Sequence, residues 1–251
     1  MKVRGSLSRQ RLDKLLVQRG LFESRQKAQA AIMAGQVFVE GQRVDKAGAL
    51  VPEEARVEVR GPVCPYVSRG GLKLEAAIEA FGISVAGKRA LDVGASTGGF
   101  TDCLLKRGAA RVYAVDVGYG QLHWRLRQDP RVVVLERTNA RYLRLKDLGE
   151  LVDLAVIDVS FISLTKIIPA VKKLVVPGGD IIALIKPQFE VGRGEVGRGG
   201  VVKDPQKHRK VISRLQDFFA AEGLEDKGLI PSPILGPKGN REFLIWLKVP
   251  A

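Results

Sequence analysis

Leu91-Asp92-Val93-Gly94-Ala95-Ser96-Thr97-Gly98-Gly99-Phe100 is the stretch on which the fold turns. An apolar run ends in a carboxylate, a glycine-rich turn follows, and a helix-like segment begins at Phe100. A second apolar run, Val112-Tyr113-Ala114-Val115, ends at Asp116, 22 residues past Gly94. The order predicts strand, turn, helix and strand, the opening of a nucleotide-type α/β domain. Glycines in such a turn let the backbone approach a ligand, and an acid after the second strand accepts hydrogen bonds from ribose hydroxyls.

Working outward, the region 68–251 alternates helix and strand patterns. A helix is expected over 72–81 and strands over 89–92, 112–116, 132–135, 154–158 and 180–185. Repeated βα units predict a parallel sheet covered on both faces. A long amphipathic helix follows Asp204 to about 222. The chain then reads as two strands, 228–234 and 241–249, joined by Pro237-Lys238-Gly239-Asn240. That hairpin makes the last strand antiparallel.

Residues 1–60 form a different unit. Ser8 is positioned to cap a helix carrying Leu12, Leu15 and Leu16, with Gly20 as its end. Ser24 caps a second helix over 25–34, and Gly35 stops it. Short strands are expected at 37–39, near Val44 and at 56–59, with a turn at Glu40-Gly41. So small a module suits a binding appendage. The stretch 61–67, with Gly61, Pro62 and Pro65, reads as the linker.

Composition narrows the partner. The 251 residues hold 41 Lys and Arg against 27 Asp and Glu, a formal net charge of +14. Such a balance favours a polyanion, through phosphate contacts and counterion release. The charge is clustered: Lys2, Arg4, Arg9, Arg11, Lys14, Arg19, Arg25 and Lys27 face only Asp13 and Glu23 at the N-terminal end. No apolar run approaches the ~20 residues of a membrane span. No signal-peptide core is present, and two cysteines make neither a disulfide framework nor a zinc pattern. A cytoplasmic protein without a metal site is the expectation.

Three chemistries compete for the glycine-rich turn. Gly94-Ala95-Ser96-Thr97-Gly98 matches a nucleophile elbow in spelling. The elbow normally follows several strands, whereas this turn follows the first of its domain, and the only histidines are His123 and His208. A dinucleotide site fails on spacing, because Gly94-x-x-x-Gly98-Gly99 lacks the close pyrophosphate turn, and Asp92 would repel a pyrophosphate. A cationic ligand fits better. Asp92, Asp116 and Asp158 end three strands, where open α/β sheets bind ligands. S-adenosylmethionine carries a sulfonium and an ammonium and has no phosphate.

Two family resemblances bear on these readings. Arg11-Leu12-Asp13, Ser24-Arg25, Gly35, Val37-Phe38-Val39-Glu40-Gly41 and Val44-Asp45-Lys46 resemble the S4 RNA-binding fold over about 50 residues. The resemblance implies an RNA surface carrying Arg4, Arg9, Arg11, Lys14, Arg25 and Lys27. Arg11 and Asp13 also allow a local ion pair with no RNA role. Asp92-Val93-Gly94-x-x-x-Gly98-Gly99-Phe100 resembles motif I of the FtsJ type of ribose methyltransferases. That implies a Rossmann-like fold and a donor site formed by Asp92, Gly94, Ser96, Gly98, Phe100, Asp116 at the ribose, Asn139 toward the adenine, and Asp158.

The FtsJ-like set Lys-Asp-Lys-Glu carries over as Lys73, Asp158, Lys186 and Glu242. Lys73 lies in Gly70-Gly71-Leu72-Lys73, Asp158 ends a predicted strand, Lys186 ends the next, and Glu242 opens the last. A ribose 2′-hydroxyl is a poor nucleophile at neutral pH and needs proton removal and alignment. An amine beside a second cation holds its proton less tightly and can serve as the base. The expected roles are Lys186 nearest the hydroxyl, Lys73 as second cation, Glu242 holding both lysines, and Asp158 beside the methyl donor.

The pairing of both modules is similar over the whole chain to the TlyA group, ribosomal-RNA 2′-O-methyltransferases acting on cytidine and also known as haemolysins. Gln188-Phe189-Glu190 and the glycine-rich run 191–202 share in that likeness, and the run, with Arg193, Arg198 and Lys203, is expected to close over RNA. Ribosomal RNA or ribosomal subunits are the implied partner. The nucleotide, the subunit and the oligomeric state stay open. The alternatives are a membrane-lytic haemolysin, which needs an apolar or strongly amphipathic segment that the sequence lacks, and a catalytically silent ribosome-binding factor, which an intact Lys-Asp-Lys-Glu set opposes.

Overall fold

The computed structural model describes residues 8–22, 24–33, 35–60, 64–192, 194–197 and 199–251. The chain divides into two compact units, Met1–Arg69 and Gly70–Ala251.

In the first unit the chain runs β1 (Arg9–Arg11), α1 (Leu12–Gln18), α2 (Arg25–Met33), β2 (Val37–Val39), β3 (Gln42–Arg43), β4 (Leu50–Pro52) and β5 (Val57–Val59). Leu12, Leu15 and Leu16 of α1 pack with Ala28, Ala31 and Ile32 of α2 and with Val37 and Val51 in one core. Ser24 caps α2 as expected, its Oγ accepting from Lys27 N–H at 3.3 Å. Ser8 caps nothing. Arg9–Arg11 is extended and pairs antiparallel with Leu50–Pro52. The first amides of α1 are satisfied instead by a distant loop: Leu12 N–H donates to Ala49 O and Asp13 N–H to Ala47 O. Ser8 lies in the chain leading into β1, four residues before the helix begins. The turn at Glu40-Gly41 takes two left-handed residues, φ 48° and 75°, which matches the twist of a tight hairpin.

The second unit opens with α3 (Gly70–Phe81) and alternates through β6 (Arg89–Val93), α4 (Gly99–Lys106), β7 (Arg111–Val115), α5 (Trp124–Arg127), β8 (Val132–Leu135), α6 (Leu145–Leu148), β9 (Val152–Ile157), α7 (Ile168–Val171), β10 (Val175–Ile185) and α8 (Pro187–Glu190). It ends with α9 (Pro205–Ala221), β11 (Glu225–Pro231) and β12 (Phe243–Lys248). The sheet order is β11-β12-β10-β9-β6-β7-β8. The neighbours β10-β9-β6-β7-β8 are parallel, while β12 lies antiparallel between β10 and β11, as the hairpin pattern predicts.

Central strands read as continuous apolar runs because helices cover both faces. Leu154, Ala155, Val156 and Ile157 of β9 are wholly buried, as are Ala90 and Leu91 of β6. The apolar stripe of α9, Val211, Leu215 and Phe219, joins the main core. The chain leaves β6 toward β7 and β8, then returns to place β9 on the other side of β6. That reversal is the topological switch point, and a ligand crevice is expected at the carboxyl ends of the strands there.

Candidate functional site

At the switch point the carboxyl ends of β6, β7 and β9 enclose a cavity of about 400 Å³. Its lining includes Gly94, Ser96, Asp116, Asn139, Asp158 and Phe161. Gly94 has φ +86°, and a Cβ there would lie 2.4 Å from the Asp158 carbonyl oxygen. Only glycine lets β6 turn this close to β9. Asp116 organises the rim: its Oδ2 accepts from Ser96 N–H at 2.8 Å and its Oδ1 from Gly118 N–H at 2.7 Å. The Asn139 side chain accepts from Arg141 N–H at 3.1 Å, fixing the short turn after β8.

Three of the expected donor-site residues stand behind the cavity and not in its wall. Phe100 is buried. Gly98, at φ +94°, gives room to Leu126 and Leu122, which a Cβ would meet at 2.2 and 2.8 Å. Asp92 is wholly buried beneath the turn. Its Oδ2 accepts from the Thr101 hydroxyl at 2.6 Å, and its Oδ1 is buried without a hydrogen-bond partner. Burial pushes its pKa up to about 7; the Thr101 hydrogen bond opposes this and the nearby Asp158 charge adds to it.

The Lys-Asp-Lys-Glu set assembles as two ion pairs. Lys73, in the first turns of α3, lies with its Nζ 2.5 Å from Glu242 Oε2, and both side chains are buried. Gly236 makes room for that carboxylate, since a Cβ there would sit 2.0 Å from Glu242 Oε1. Lys186, just past β10, has its Nζ 2.5 Å from Asp158 Oδ1. That contact is ionic and lacks hydrogen-bond alignment; the aligned N–H of Lys186 goes to Ser160 Oγ at 3.0 Å. The expectation that Glu242 holds both lysines is thus replaced by one carboxylate per lysine. The strand register gathers the pairs. Ile185 opposes Phe243 across β10 and β12, and one further step sets Lys186 beside Glu242.

Sequence reasoning passed over Ser160, Phe161 and Phe189 as site residues. Phe161 is 90% exposed and left-handed at φ +64°, an outlier for an aromatic residue. Its ring lies 4.9 Å from that of Phe189, which is 6.0 Å from Lys186 Nζ. Adjacency to Asp158 and Lys186 in the chain was the signal available for Ser160 and Phe161, and Phe189 also lay in the stretch 188–190 that shares the family likeness. The hydrolase alternative finds no support: Ser96 Oγ pairs with Gln121 Oε1 at 3.3 Å, and buried His208 is held by Val202 O.

In the first unit Arg9, Arg11, Lys14, Arg25 and Lys27 are all exposed. Arg11 does form the ion pair with Asp13 that its spacing allows, and Arg25 shares the same carboxylate. Arg4, Arg193 and Arg198 lie outside the described residues. Among the described residues no group of His, Cys, Asp and Glu could hold a metal ion, and no helix is long and apolar enough to cross a membrane.

Comparison with known proteins places this geometry. The FtsJ-like methyltransferase family model matches residues 66–249, and the S4 domain model matches residues 10–57. A Bacillus subtilis protein named as a candidate rRNA methyltransferase, YqxC, is 54% identical over 243 residues, 96% of this chain and 86% of that protein. The 16S/23S rRNA (cytidine-2′-O)-methyltransferase TlyA of Mycobacterium tuberculosis is 51% identical over 241 residues, 96% of this chain and 90% of that protein. The solved structure of a Streptococcus thermophilus protein named as a hemolysin candidate superposes with a TM-score of 0.78 at 46% identity, over 98% of this chain and 90% of that one.

Proposed function

The chain belongs to the FtsJ-like methyltransferase family and carries an S4 domain on its N-terminal side, and from that membership we propose that it methylates the ribose 2′-hydroxyl of a cytidine in ribosomal RNA. The observation that carries the reading is the placement of two lysine–carboxylate pairs at the carboxyl edge of the sheet, with Asp158 common to the set and to the wall of the cavity.

The residues present fit S-adenosylmethionine. Gly94 lets β6 turn in the cavity wall against the Asp158 backbone, where any Cβ would collide with it, and the buried Asp92 holds an unpartnered oxygen beneath the turn. Gly94, Ser96, Asp116 and Asn139 would hold the nucleoside end of the donor, and Asp158 would face its cationic end. The donor, when bound, supplies a methyl group on a sulfonium.

The chain's own residues do the rest. Lys186, as the neutral amine, would take the proton of the 2′-hydroxyl on its Nζ, and Asp158 would pair the ammonium that results, leaving the oxygen free to accept the methyl that the donor releases from its sulfonium. Asp158 and Ser160 hold that amine from two sides and so fix its line of approach. Lys73 adds a second positive charge, pinned by Glu242. The S4-like module, residues 1–60, anchors the RNA through Arg4, Arg9, Arg11, Lys14, Arg25 and Lys27, with 61–67 as linker and 68–251 as the transfer domain; Arg193 and Arg198 add contacts from the glycine-rich run. No helix among the described residues is long and apolar enough to cross a membrane, so a lytic reading that needs a spanning helix has none there.

Tritiated methyl transfer from S-adenosylmethionine to purified ribosomal subunits that lack the modification tests the proposal, with Lys186→Ala as control. Label in a cytidine 2′-O position that disappears in the variant is expected. Label on no subunit, together with absence of donor binding, would sink it.

A further inference from the structure

Asp13 is wholly buried in the first unit, and its carboxylate collects four hydrogen bonds. Oδ1 accepts from Arg11 Nε at 3.0 Å. Oδ2 accepts from Arg11 Nη2 at 2.9 Å, Arg25 Nη2 at 2.9 Å and Gln29 Nε2 at 2.7 Å. Arg11 ends β1 just before α1 and Arg25 opens α2, so one anion ties two guanidinium groups from separate segments of the chain. Both remain about half exposed, at 45% and 48% of their side-chain surface. Gly48 flanks the Arg11 guanidinium, with room for a Cβ only at contact distance, 3.4 Å.

Two cations share one anion here, so a positive charge is left over, and it is held in place. The Arg11 pair is bidentate, and the guanidinium plane is fixed by it. The hydrogen bonds from Arg11 hold the Asp13 carboxyl well below the usual carboxylate range, so the tie persists at any physiological pH. An arginine whose rotamer is already set loses less freedom when it meets a phosphate.

We propose that Asp13 is a positioning residue that sets Arg11 and Arg25 as one fork for a single RNA phosphate. The inference rests on the reading of the S4 module as the RNA anchor. It makes a prediction opposite in sign to charge counting. Asp13→Asn adds net positive charge to a basic surface, which by itself tightens binding to a polyanion. Loss of the tie loosens both guanidinium groups and weakens it.

The experiment measures Kd of the full-length chain for in vitro transcripts of 16S and 23S ribosomal RNA, each at several salt concentrations. Three variants are compared with the wild type: Asp13→Asn, the pair Arg11→Lys with Arg25→Lys, and the pair Arg11→Gln with Arg25→Gln. The lysine pair keeps the charge and loses the planar fork, and its exposed sites keep the fold testable if Asp13→Asn does not fold. We expect Asp13→Asn and the lysine pair to raise Kd about five- to tenfold for whichever transcript the wild type binds more tightly. The lysine pair should keep the wild-type salt slope, which a mere loss of charge would not. Unchanged or tighter binding in Asp13→Asn, or wild-type affinity in the lysine pair, overturns the positioning role. Unchanged affinity in the glutamine pair overturns the RNA-anchor reading as well, so the two failures are told apart.

Discussion

Lys73 Nζ lies 2.5 Å from Glu242 Oε2, joining residues 169 positions apart in a place closed to solvent. Removing one partner of a buried ion pair costs ~3–5 kcal/mol, because the other charge is left unpaired. Glu242→Gln should therefore lower thermal stability and transfer together. Replacing both, Lys73→Met with Glu242→Leu, should recover most of the stability and none of the transfer. Calorimetry beside a methyl-transfer assay checks this. Recovery of transfer in the double variant would reduce the pair to a structural tie.

Lys186 offers the sharper test of chemistry. If its Nζ takes the hydroxyl proton, Lys186→Ala should slow transfer by ~10²–10⁴-fold, the range typical of a lost general base. Titration calorimetry with S-adenosylmethionine should give an unchanged donor Kd, since Lys186 does not line the cavity. A donor Kd that rises in step with the loss of rate would contradict its assignment as base.

Gly94→Ala should remove donor binding. The new Cβ would press on the Asp158 carbonyl at 2.4 Å. A left-handed φ also costs a side chain ~1–2 kcal/mol. The strand ends must part, and the cavity wall with them. A variant that binds donor like the wild type would show that the close approach of β6 to β9 is dispensable.

Asp92 links the site to pH. Its folded pKa is pushed up to about 7 by burial, against ~3.9 in an unfolded chain. Between those values the folded state keeps a proton that the unfolded state gives up. The group's stability contribution is therefore complete below the unfolded pKa and lost as pH rises through about 7. Asp92→Asn carries no such titration, so its melting temperature relative to the wild type should climb from pH 5 to pH 8. Affinity of the wild type for the cationic donor should rise over the same range as the carboxylate ionises. Parallel melting profiles for the two proteins would rule out the buried titration.

Much of the fold was legible because it is written in local pattern. The strands expected at 89–92, 112–116 and 154–158 hold apolar runs, Ala90-Leu91, Val112-Tyr113-Ala114-Val115 and Leu154-Ala155-Val156-Ile157, that are buried on both faces, so they could be read as parallel strands without knowing their neighbours. The hairpin at the end declared its own direction. Ser8 was misread for the converse reason: a serine before an apolar helix has the local look of a cap, but Arg9–Arg11 pairs as a strand with Leu50–Pro52, and the carbonyls of Ala47 and Ala49 take the first two amides of the helix. Ser160, Phe161 and Phe189 carried no period or spacing of their own; Phe189 lay in a stretch that shares the family likeness, and the arrangement around Lys186 marks all three.

The sequence by itself determined which elements form, the glycine that a close turn demands, and the identity of the charged residues at the strand ends, because these follow from steric limits and periodicity within a few residues. Tertiary structure decided who pairs with whom. One carboxylate went to each lysine, Asp92 went beneath the cavity instead of into it, and Asp13 gathered one arginine from the end of β1 and one from the start of α2. Coulomb and hydrogen-bond energies depend on distances of a few ångströms, and those are set by strand register and helix packing between segments that lie far apart in the chain.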